Sequence, residues 1–296
     1  MKRYLFIGSV DYSASCLKAL LKLRINIVGI MCPYKSRAAF NSDYNDLSKV
    51  AAEFKKAVHY FKEINSEIKY IKTLKPDIIF VLGLSQIIPS EILSTPSMGC
   101  IGSHPALLPQ NRGRHPVIWA IANGLKKSGI TLFWMNSGID SGDILAQKEF
   151  VITSKDNAST VYGKIEKISR EMLKENIPDL ERGIIKRVRQ GNSRVNYWRK
   201  RVKKDGEIDW RMSSKRIYDL VRALYRPYPG ASLIFNKREY KLWKAKIIAG
   251  AKKFENFEPG KVIAVNHPKF RVKTGDGLVE ITEHSMAKVP KIGEYV

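Results

Sequence analysis

Apolar and polar positions along the first half of the chain predict strands that alternate with helices. Continuous apolar runs typical of buried strands cover residues 3–8, 25–31 and 76–82. Between the first two runs, leucines recur at helical spacing, and Ser13 is positioned to cap that helix. A strand followed by a helix and a second strand is typical of a parallel sheet with crossover helices. The pattern therefore predicts an α/β, Rossmann-like and mostly parallel sheet in residues 1–190.

Further helices are predicted over residues 67–74, with Ser66 as the N-cap, over residues 159–174, and after Ser213. Beyond that last helix the pattern changes to short apolar runs, mostly separated by turns that carry Gly or Asn. These runs cover residues 231–235, 239–248, 261–265, 270–274 and 278–282. Short strands with turn signals are typical of a small β-barrel, and we predict an OB-like one at the C-terminus.

The stretch from residue 98 to residue 145 contains the candidate chemistry. Two β-like runs bracket a short apolar helix there; the first ends at His104, and the second leads to Asp140, which lies between two glycines. In open α/β sheets, ligands bind beyond the carboxyl ends of the strands. A His and an Asp on turns that follow strands can therefore meet in one cleft as an acid/base pair. The loops at residues 8–13 and 83–88 are expected to line the same crevice.

Length and composition narrow the class of protein. The 296 residues are 44% hydrophobic and 27% charged, as in a globular protein, and no run approaches the 18 apolar residues of a membrane span. Cys16, Cys32 and Cys100 lack metal-ligand spacing, which predicts buried, reduced thiols and a cytoplasmic location. No G-x-G-x-x-G follows the first strand, so a dinucleotide cofactor is not supported, and we expect no metal site.

A formal net charge of +24 favours polyanionic partners, such as nucleic acid, nucleotide phosphates or an anionic membrane surface. The alternative is a lysine-rich surface that is only solvated, because the lysines are spread through every segment. One stretch is concentrated: residues 182–204 contain ten Lys and Arg and no acidic residue. We assign residues 191–210 to a linker, which separates a first domain at residues 1–190 from a second domain at residues 211–296.

The central stretch resembles the formyltransferase family that uses N10-formyltetrahydrofolate. Its members include methionyl-tRNA, glycinamide ribonucleotide and sugar N-formyltransferases. The matching residues are His104-Pro-Ala-Leu-Leu-Pro109, Arg112-Gly-Arg114, Pro116, Trp119-Ala, Gly138-Ile-Asp140-Ser-Gly142, Asp77-Ile-Ile-Phe-Val, Gly83-Leu-Ser85-Gln86-Ile-Ile-Pro89, Asp205-Gly-Glu-Ile-Asp209-Trp210, Arg222-Ala-Leu-Tyr-Arg-Pro-Tyr-Pro-Gly230 and Thr274-Gly-Asp-Gly-Leu. The resemblance covers nearly the whole chain and implies a formyltransferase domain followed by a C-terminal barrel.

The resemblance also implies catalytic roles. His104 is expected to assist at the oxyanion of the tetrahedral intermediate and in proton transfer, and Asp140 to orient His104 and relay the proton. The family normally has Asn two positions before the His, where this chain has Gly102. Either a backbone N–H replaces that amide, or a nearby polar group does, or the protein is a poor or inactive catalyst. We favour an active enzyme with a rebuilt oxyanion site; the candidate polar groups are Ser103, Asn111 and Asn136.

Binding residues follow from the same resemblance. The expected folate-binding residues lie on two loops, and are Leu84, Ser85, Gln86, Ile87, Ile88, Asn136, Gly138 and Ile139. The expected residues for the second substrate are Ser9, Tyr12, Arg112, Gly113 and Arg114. The two arginines are multi-donor cations suited to phosphate or to ordering a substrate loop. A solvated loop around them, and a purely capping role for Ser85 and Gln86, are the alternatives.

Two amines compete as the acceptor: a nucleotide-linked 4-amino-deoxysugar for a surface polysaccharide, and the methionyl group of initiator tRNA. Net charge and the C-terminal barrel favour tRNA. The N-terminal turn, Gly8-Ser-Val-Asp-Tyr-Ser13, differs from the Gly-Thr-Pro-Glu-Phe usual in the tRNA enzyme, and residues 33–43 differ from its arginine loop. We therefore favour the sugar, with a pseudaminic-type sugar on UDP as one version. An inactive RNA-binding module is a third hypothesis, and a homodimer is left open.

Overall fold

A seven-stranded sheet with helices forms the first of two compact units in the computed structural model, which describes residues 1–37 and 42–296 (for Arg37, Ala251 and Lys252, the backbone alone). The first unit comprises Met1–Pro116, Lys127–Phe150 and Tyr162–Trp198, and the second comprises Val117–Lys126, Val151–Val161 and Arg199–Val296. The domain boundaries proposed at residues 190 and 210 stay a prediction.

The strands up to residue 198 are numbered along the chain. They are β1 (Arg3–Ile7), β2 (Asn26–Pro33), β3 (His59–Phe61), β4 (Ile78–Val81), β5 (Gly99–His104), β6 (Arg112–Gly113), β7 (Lys127–Trp134), β8 (Ile144–Val151) and β9 (Tyr197–Trp198). The sheet order is β3-β2-β1-β4-β5-β7-β8, and β6 pairs separately with β9. All pairings among the strands β1, β2, β3, β4 and β5 are parallel, whereas β7 is antiparallel to β5. The predicted α/β fold with a mostly parallel sheet is confirmed.

Seven helices are numbered in the same way among the described residues. They are α1 (Asp11–Lys22), α2 (Ser48–Glu53), α3 (Ile68–Leu74), α4 (Ser90–Leu93), α5 (Pro116–Ala122), α6 (Ala158–Glu181) and α7 (Ser214–Ala223). Helix α6 extends beyond residue 174, where the sequence pattern placed its end. The reason is that Ile177 and Leu180 continue its buried face. Cys16, Cys32 and Cys100 are free and buried, as predicted.

Ser13 is not the N-cap of α1, so this prediction was wrong. The helix begins at Asp11 after an extended Val10, which places Ser13 inside the first turn. From there its hydroxyl accepts from the N–H groups of Ser9 and Val10 and donates to the Leu82 carbonyl at 2.6 Å. This hydroxyl therefore ties the loop after β1 to the loop after β4, as expected if both loops line one crevice.

The other two predicted caps had different outcomes. Ser213 is the N-cap of α7, and its hydroxyl accepts from the Arg216 N–H at 3.3 Å, which confirms that prediction. Ser66 does not cap α3, because it lies within a 3-10 turn, Ile64–Glu67, that precedes the helix. Its hydroxyl instead donates to the Glu63 carbonyl.

The second unit contains a five-stranded antiparallel sheet. Its strands are β10 (Ala231–Phe235), β11 (Arg238–Ile248), β12 (Val262–Asn266), β13 (Lys269–Lys273) and β14 (Leu278–His284), in the order β10-β11-β14-β13-β12. These strands lie close to the five predicted runs, because inward-facing Leu233, Leu242, Phe270, Val272 and Ile281 alternate with more polar positions. The prediction of a separate C-terminal β domain is confirmed, and its sheet is antiparallel. Across the described residues, no helix has the length and apolar character needed to cross a membrane.

Candidate active site

The site lies at the carboxyl end of β5, between β4 and β7 in the sheet. Val81 and Phe133 flank Gly102 on the neighbouring strands, and His104 is the last residue of β5. Because β4 and β5 are parallel, the loop that follows β4 emerges at the same edge of the sheet as His104. The sheet order therefore puts this loop next to the residues with the candidate chemistry.

The structure brings the predicted pair, His104 and Asp140, together. Nδ1 of the imidazole lies 3.4 Å from Oδ2 of the carboxylate, and Nε2 lies 2.7 Å from the Asn111 carbonyl oxygen. A carbonyl oxygen can only accept, so Nε2 carries a proton. The Asp140 carboxylate faces the other ring nitrogen, where it can orient the imidazole.

Two groups hold Asp140 against His104. The backbone N–H of Gly113 donates to Oδ2 of Asp140 at 2.8 Å. Gln190 donates through Nε2 to the carbonyl oxygens of Asp140, at 2.9 Å, and of Gly142, at 2.7 Å. Asp140 has a φ of +48°, a conformation uncommon outside glycine, so these contacts fix a turn that its sequence alone does not favour.

A second set of contacts fixes the carbonyl that faces His104. The Asn111 N–H donates to Oδ1 of Asn196 at 2.8 Å, and Nδ2 of Asn196 donates back to Oδ1 of Asn111 at 3.0 Å. The Arg112 N–H continues this contact by donating to the Asn196 carbonyl, after which β6 pairs in parallel with β9. Residues 190–198 are thus part of the site in the first unit.

Sequence reasoning missed Gln190 and Asn196. Both lie in or beside the basic stretch, and Asn196 falls within the segment assigned to a linker. Their partners are 48 to 85 positions away in the chain. Local sequence patterns do not predict hydrogen bonds between residues so far apart in the chain. The only available signal was the presence of single amides among ten cations, which is weak.

The space beside Gly102 is filled by neighbouring side chains. A Cβ at this position would lie 3.0 Å from Cγ of Met135, 3.1 Å from its Sδ and 3.2 Å from Cζ of Phe133. An Asn here would therefore need Met135 to move by a few tenths of an ångström. Gly102 has no side chain, and the Met135 thioether occupies the space beside it. No side-chain amide of residue 102 is therefore present where the family has Asn.

The three polar groups considered as replacements are placed differently. Ser103 is the neighbour of Gly102 on the strand, so it points to the opposite face, where it interacts with the Tyr12 phenol. Oδ1 of Asn136 accepts from the Gly138 N–H and from the Ser141 hydroxyl. Asn111 is paired with Asn196, as described above. Nδ2 of Asn136 has no acceptor among the residues that the structure describes, and it remains a candidate donor.

The two loops predicted to bind folate are adjacent and expose apolar groups. Leu84 and Met135, at the beginnings of these loops, pack against the same buried cluster, which includes Ile88. Ile87, on the first loop, is 87% exposed, and Ile139, on the second, is 64% exposed. Exposed aliphatic side chains on adjoining loops fit a flat, largely apolar ring system.

Gln86 fixes the shape of the first loop. Its Oε1 accepts from the Ile64 N–H at 2.8 Å, and its Nε2 donates to the Lys62 carbonyl at 2.9 Å. The Gln86 side chain is therefore committed to protein groups and holds the loop against residues 62–64. Ser85 also has a partner within the protein. A folate-binding role for Ser85, Gly138 and the rest of both loops stays a prediction.

The residues predicted to bind the second substrate do not share one environment. Ser9 and Tyr12 are buried; the Tyr12 hydroxyl donates to Ser169, and burial raises its pKa well above the usual value. The Ser9 hydroxyl is buried, and no described residue forms a hydrogen bond with it. The Arg112 guanidinium is also buried, so it does not face solvent as a phosphate-binding group would.

Arg114 is exposed, next to the Gly113 N–H that holds Asp140. Its guanidinium has no ion-pair partner among residues 1–37 and 42–296. Of the two arginines predicted to bind the second substrate, Arg114 is therefore the one that an anion in solution can reach. The comparison of residues 33–43 with an arginine loop falls partly outside the described residues, because residues 38–41 are not among them. No group of metal-ligating side chains occurs in the described part of the chain.

Comparison with known proteins adds a family and several relatives. The family model "Formyl transferase" matches residues 4–177, and "Formyl transferase, C-terminal domain" matches residues 200–293. A methionyl-tRNA formyltransferase of Caldanaerobacter subterraneus is 30% identical over 301 residues, covering 99% of this chain and 96% of that one. The bifunctional polymyxin resistance protein ArnA of Wigglesworthia glossinidia brevipalpis is 35% identical over 254 residues, covering 84% of this chain but only 38% of ArnA.

A solved structure shows the same fold. The N-formyltransferase of Helicobacter canadensis, in complex with folinic acid and dTDP-3-aminofucose, superimposes with a TM-score of 0.72. The two sequences are 21% identical, and the match covers 96% of this chain and 100% of that one. At this identity the likeness supports the fold and carries no assignment of substrate.

Proposed function

This chain belongs to the formyl transferase family, and from that premise we propose that it transfers a formyl group from N10-formyltetrahydrofolate to the amino group of a nucleotide-linked 4-amino-deoxysugar. The observation that carries formyl transfer is the contact of His104 with Asp140 beside a backbone N–H and a glycine-lined strand end. We expect the reaction to take place in the cytoplasm, as the cysteine usage predicts.

The chemistry requires a donor to the oxyanion and a proton route. The amine nitrogen attacks the formyl carbon, whose oxygen becomes an oxyanion, and the bond from that carbon to N10 of the folate then breaks. The amine nitrogen loses one proton, and N10 gains one. In our proposal the Nε2–H of His104 leaves the Asn111 carbonyl when the substrates bind, donates to the oxyanion, and supplies the proton that N10 receives. Asp140 holds the ring in place and takes part in relaying the proton released by the amine.

The folate is expected to lie against the loops at residues 84–88 and 136–139. Support comes from Ile87 and Ile139, which expose apolar surface on the two loops, and from the Gln86 side chain, which fixes the shape of the first loop. The Helicobacter canadensis structure contains folinic acid. Measuring tetrahydrofolate binding to Ile87→Asp and Ile139→Asp tests this placement, because a charge at the contact weakens the binding of an apolar ring.

Two points favour the sugar nucleotide. The turn from Gly8 to Ser13 departs from the sequence usual in the tRNA enzyme. Arg114 is an exposed cation two residues after Arg112 and close in sequence to the Gly113 N–H that holds Asp140, where it suits a diphosphate. A pseudaminic-type sugar on UDP is the version that we test first.

Formylation of methionyl-tRNA is the second candidate. The full-length match to the Caldanaerobacter enzyme and the net charge of +24 favour it. The deciding experiment is a formylation assay with UDP-, GDP- and dTDP-linked 4-amino sugars beside charged initiator tRNA, using wild type and His104→Ala. Turnover of a sugar nucleotide with weak dependence on salt supports our proposal. Turnover of tRNA alone, with binding that falls steeply as salt rises, supports the second candidate. Tight RNA binding without turnover of any amine identifies an inactive RNA-binding module.

A further inference from the structure

We propose that Gln190 is a positioning residue for formyl transfer, which acts by holding the Asp140 turn so that the carboxylate faces His104. Gln190 is buried, although it lies within the basic stretch at residues 182–204. This inference rests on the proposed formyl transfer, and it does not depend on which amine is formylated.

The hydrogen bonds of Gln190 are complete. Its two N–H groups donate to the carbonyl oxygens of Asp140 and Gly142, and its Oε1 accepts from Nε and Nη2 of Arg112, at 3.3 and 2.7 Å. A carboxamide has two donors and two acceptor sites, so every site is used. The partners also fix the orientation of the amide, because carbonyl oxygens only accept and a guanidinium only donates.

The turn that Gln190 holds is unfavourable by itself. Asp140 has a positive φ, and a Cβ on Gly142 would lie 1.7 Å from the Trp134 carbonyl oxygen, so this glycine cannot be replaced without moving the turn. The two carbonyls on either side of Ser141 both point at Gln190. Without these donors, the Asp140 backbone is no longer tied to Gln190, so we expect the turn to relax and the carboxylate to move with it, although the Gly113 N–H still donates to the carboxylate.

Arg112 completes the clamp from the other side. Nη1 donates to the Tyr197 hydroxyl at 2.9 Å, and the guanidinium lies 5.7 Å from the centre of the Tyr197 ring. The next residue, Gly113, donates its N–H to Asp140. Strand β6 therefore contacts the Asp140 carboxylate through Gly113 and the Gln190 amide through Arg112. In this role Arg112 organises the site from within the protein and does not contact substrate.

The first test separates positioning from folding. Gln190→Glu keeps the size of the side chain and an acceptor for Arg112, but it removes both donors and places a negative charge against two carbonyl oxygens. Gln190→Ala removes the whole clamp. Gln147→Ala is the matched control, since this amide also donates to a carbonyl, of Leu108, and to the Thr131 hydroxyl, without contacting Asp140. We expect kcat to fall about 10²-fold in both Gln190 variants, with KM for both substrates changed less than about 3-fold, and the control to stay within about 3-fold of wild type.

A double-variant cycle tests the route of the effect. If Gln190 acts through Asp140, then Gln190→Ala in an Asp140→Ala background lowers kcat by less than about 3-fold. A full 10²-fold loss in that background overturns the proposal. So does a folded Gln190→Ala variant whose kcat equals that of wild type.

A readout without substrate keeps the inference testable if the proposed function fails. The Gly113 N–H, which donates to Asp140, should exchange faster with deuterium in Gln190→Glu than in wild type, while Ile79 in β4 keeps its protection. Unchanged exchange at Gly113 overturns the proposal whatever amine is used. Absence of turnover in wild type with every amine, together with faster Gly113 exchange, counts against formyl transfer and leaves the clamp in place.

Discussion

Two histidine–carboxylate pairs lie in the first unit, and they differ in how they are built. In the first pair, Nε2 of His59 lies 2.7 Å from Oε2 of Glu67, eight residues away, and the ring stacks on Tyr70 with centroids 3.9 Å apart. In the second, Nδ1 of His104 lies 3.4 Å from Oδ2 of Asp140. The shorter contact is thus the local one, at the edge strand β3.

The difference shows that a short distance does not identify a reactive pair. His59 meets one carboxylate from a neighbouring turn, which is sufficient for a structural contact at a partly exposed site. His104 is enclosed, its second nitrogen faces a carbonyl, and its partner Asp140 is held by Gly113 and Gln190 from other segments. Several distant segments that together fix one strained turn are typical of functional sites. We therefore assign the chemistry to the second pair.

Replacing each histidine by alanine is expected to separate the two pairs most strongly. His104→Ala removes the imidazole that we propose to serve the developing oxyanion and the proton transfer, and we expect kcat for formyl transfer to fall about 10³-fold. His59→Ala should leave kcat within about 3-fold of wild type. Steady-state formylation rates at saturating folate measure both. Comparable losses in the two variants would remove the distinction between the pairs.

The carboxylates sharpen the same comparison. Asp140→Asn keeps an oxygen to accept from Gly113, but it loses the negative charge that faces the His104 ring, so we expect kcat to fall about 10²-fold. Glu67→Gln, its counterpart in the other pair, should change kcat by less than about 3-fold. Single-turnover rates check this prediction without interference from product release. An Asp140→Asn enzyme as fast as wild type contradicts an electrostatic role for Asp140.

Gly102 tests whether the site has been rebuilt. In Gly102→Asn, the family's amide returns, but Met135 must shift to make room. Because we infer that other groups already serve the oxyanion, we expect kcat to change by less than about 10-fold. Gly102→Ala, which adds only a Cβ at the same place, controls for crowding. A rise of 10² or more in Gly102→Asn means that the donor was simply missing.

The smallest expected effect is on stability. The imidazole of His59 is one-third exposed and the Glu67 carboxylate less so, so their contact contributes modestly. We expect His59→Ala to lower the free energy of unfolding by about 1 kcal/mol or less. Urea unfolding at neutral pH measures this. A loss several times larger would indicate that the stacking of His59 on Tyr70 is a main support of the edge of the sheet.

Local patterns were sufficient for most of the fold. The strand at Ala231–Phe235 has the predicted bounds, and Ser213 caps the predicted helix, because alternation and capping depend on residues a few positions apart. Ser13 has the right residue type for a cap, yet its hydroxyl bonds back to the loop and across to Leu82. A tertiary contact of this kind overrides a local preference, and no sequence window contains it.

In the candidate site, too, some features follow from the sequence pattern and others depend on tertiary contacts. The meeting of His104 and Asp140 was predicted, but the argument from strand ends at one edge of a parallel sheet does not explain it. Strand β7 is antiparallel to β5, so its last residue, Trp134, pairs with Ile101, and the residues that follow β7 bring Asp140 back to His104.

The buried state of Arg112, and the amides of Gln190 and Asn196 that organise the turn, depend on pairing across up to 85 positions. In the sequence, Arg112 looks like part of a solvated loop, and Gln190 and Asn196 look like part of a solvated basic segment. Their contacts with the site became evident only in the structure.

The most direct test of the central claim is a cycle of His104→Ala, Asp140→Ala and the double variant, measured as the rate of formyl transfer to the amine that wild type accepts. If the two residues act as one unit, the double variant will be about as slow as His104→Ala alone, because Asp140 has no ring left to hold. If the two losses multiply in full, the residues act independently, and the account of a coupled imidazole and carboxylate is contradicted.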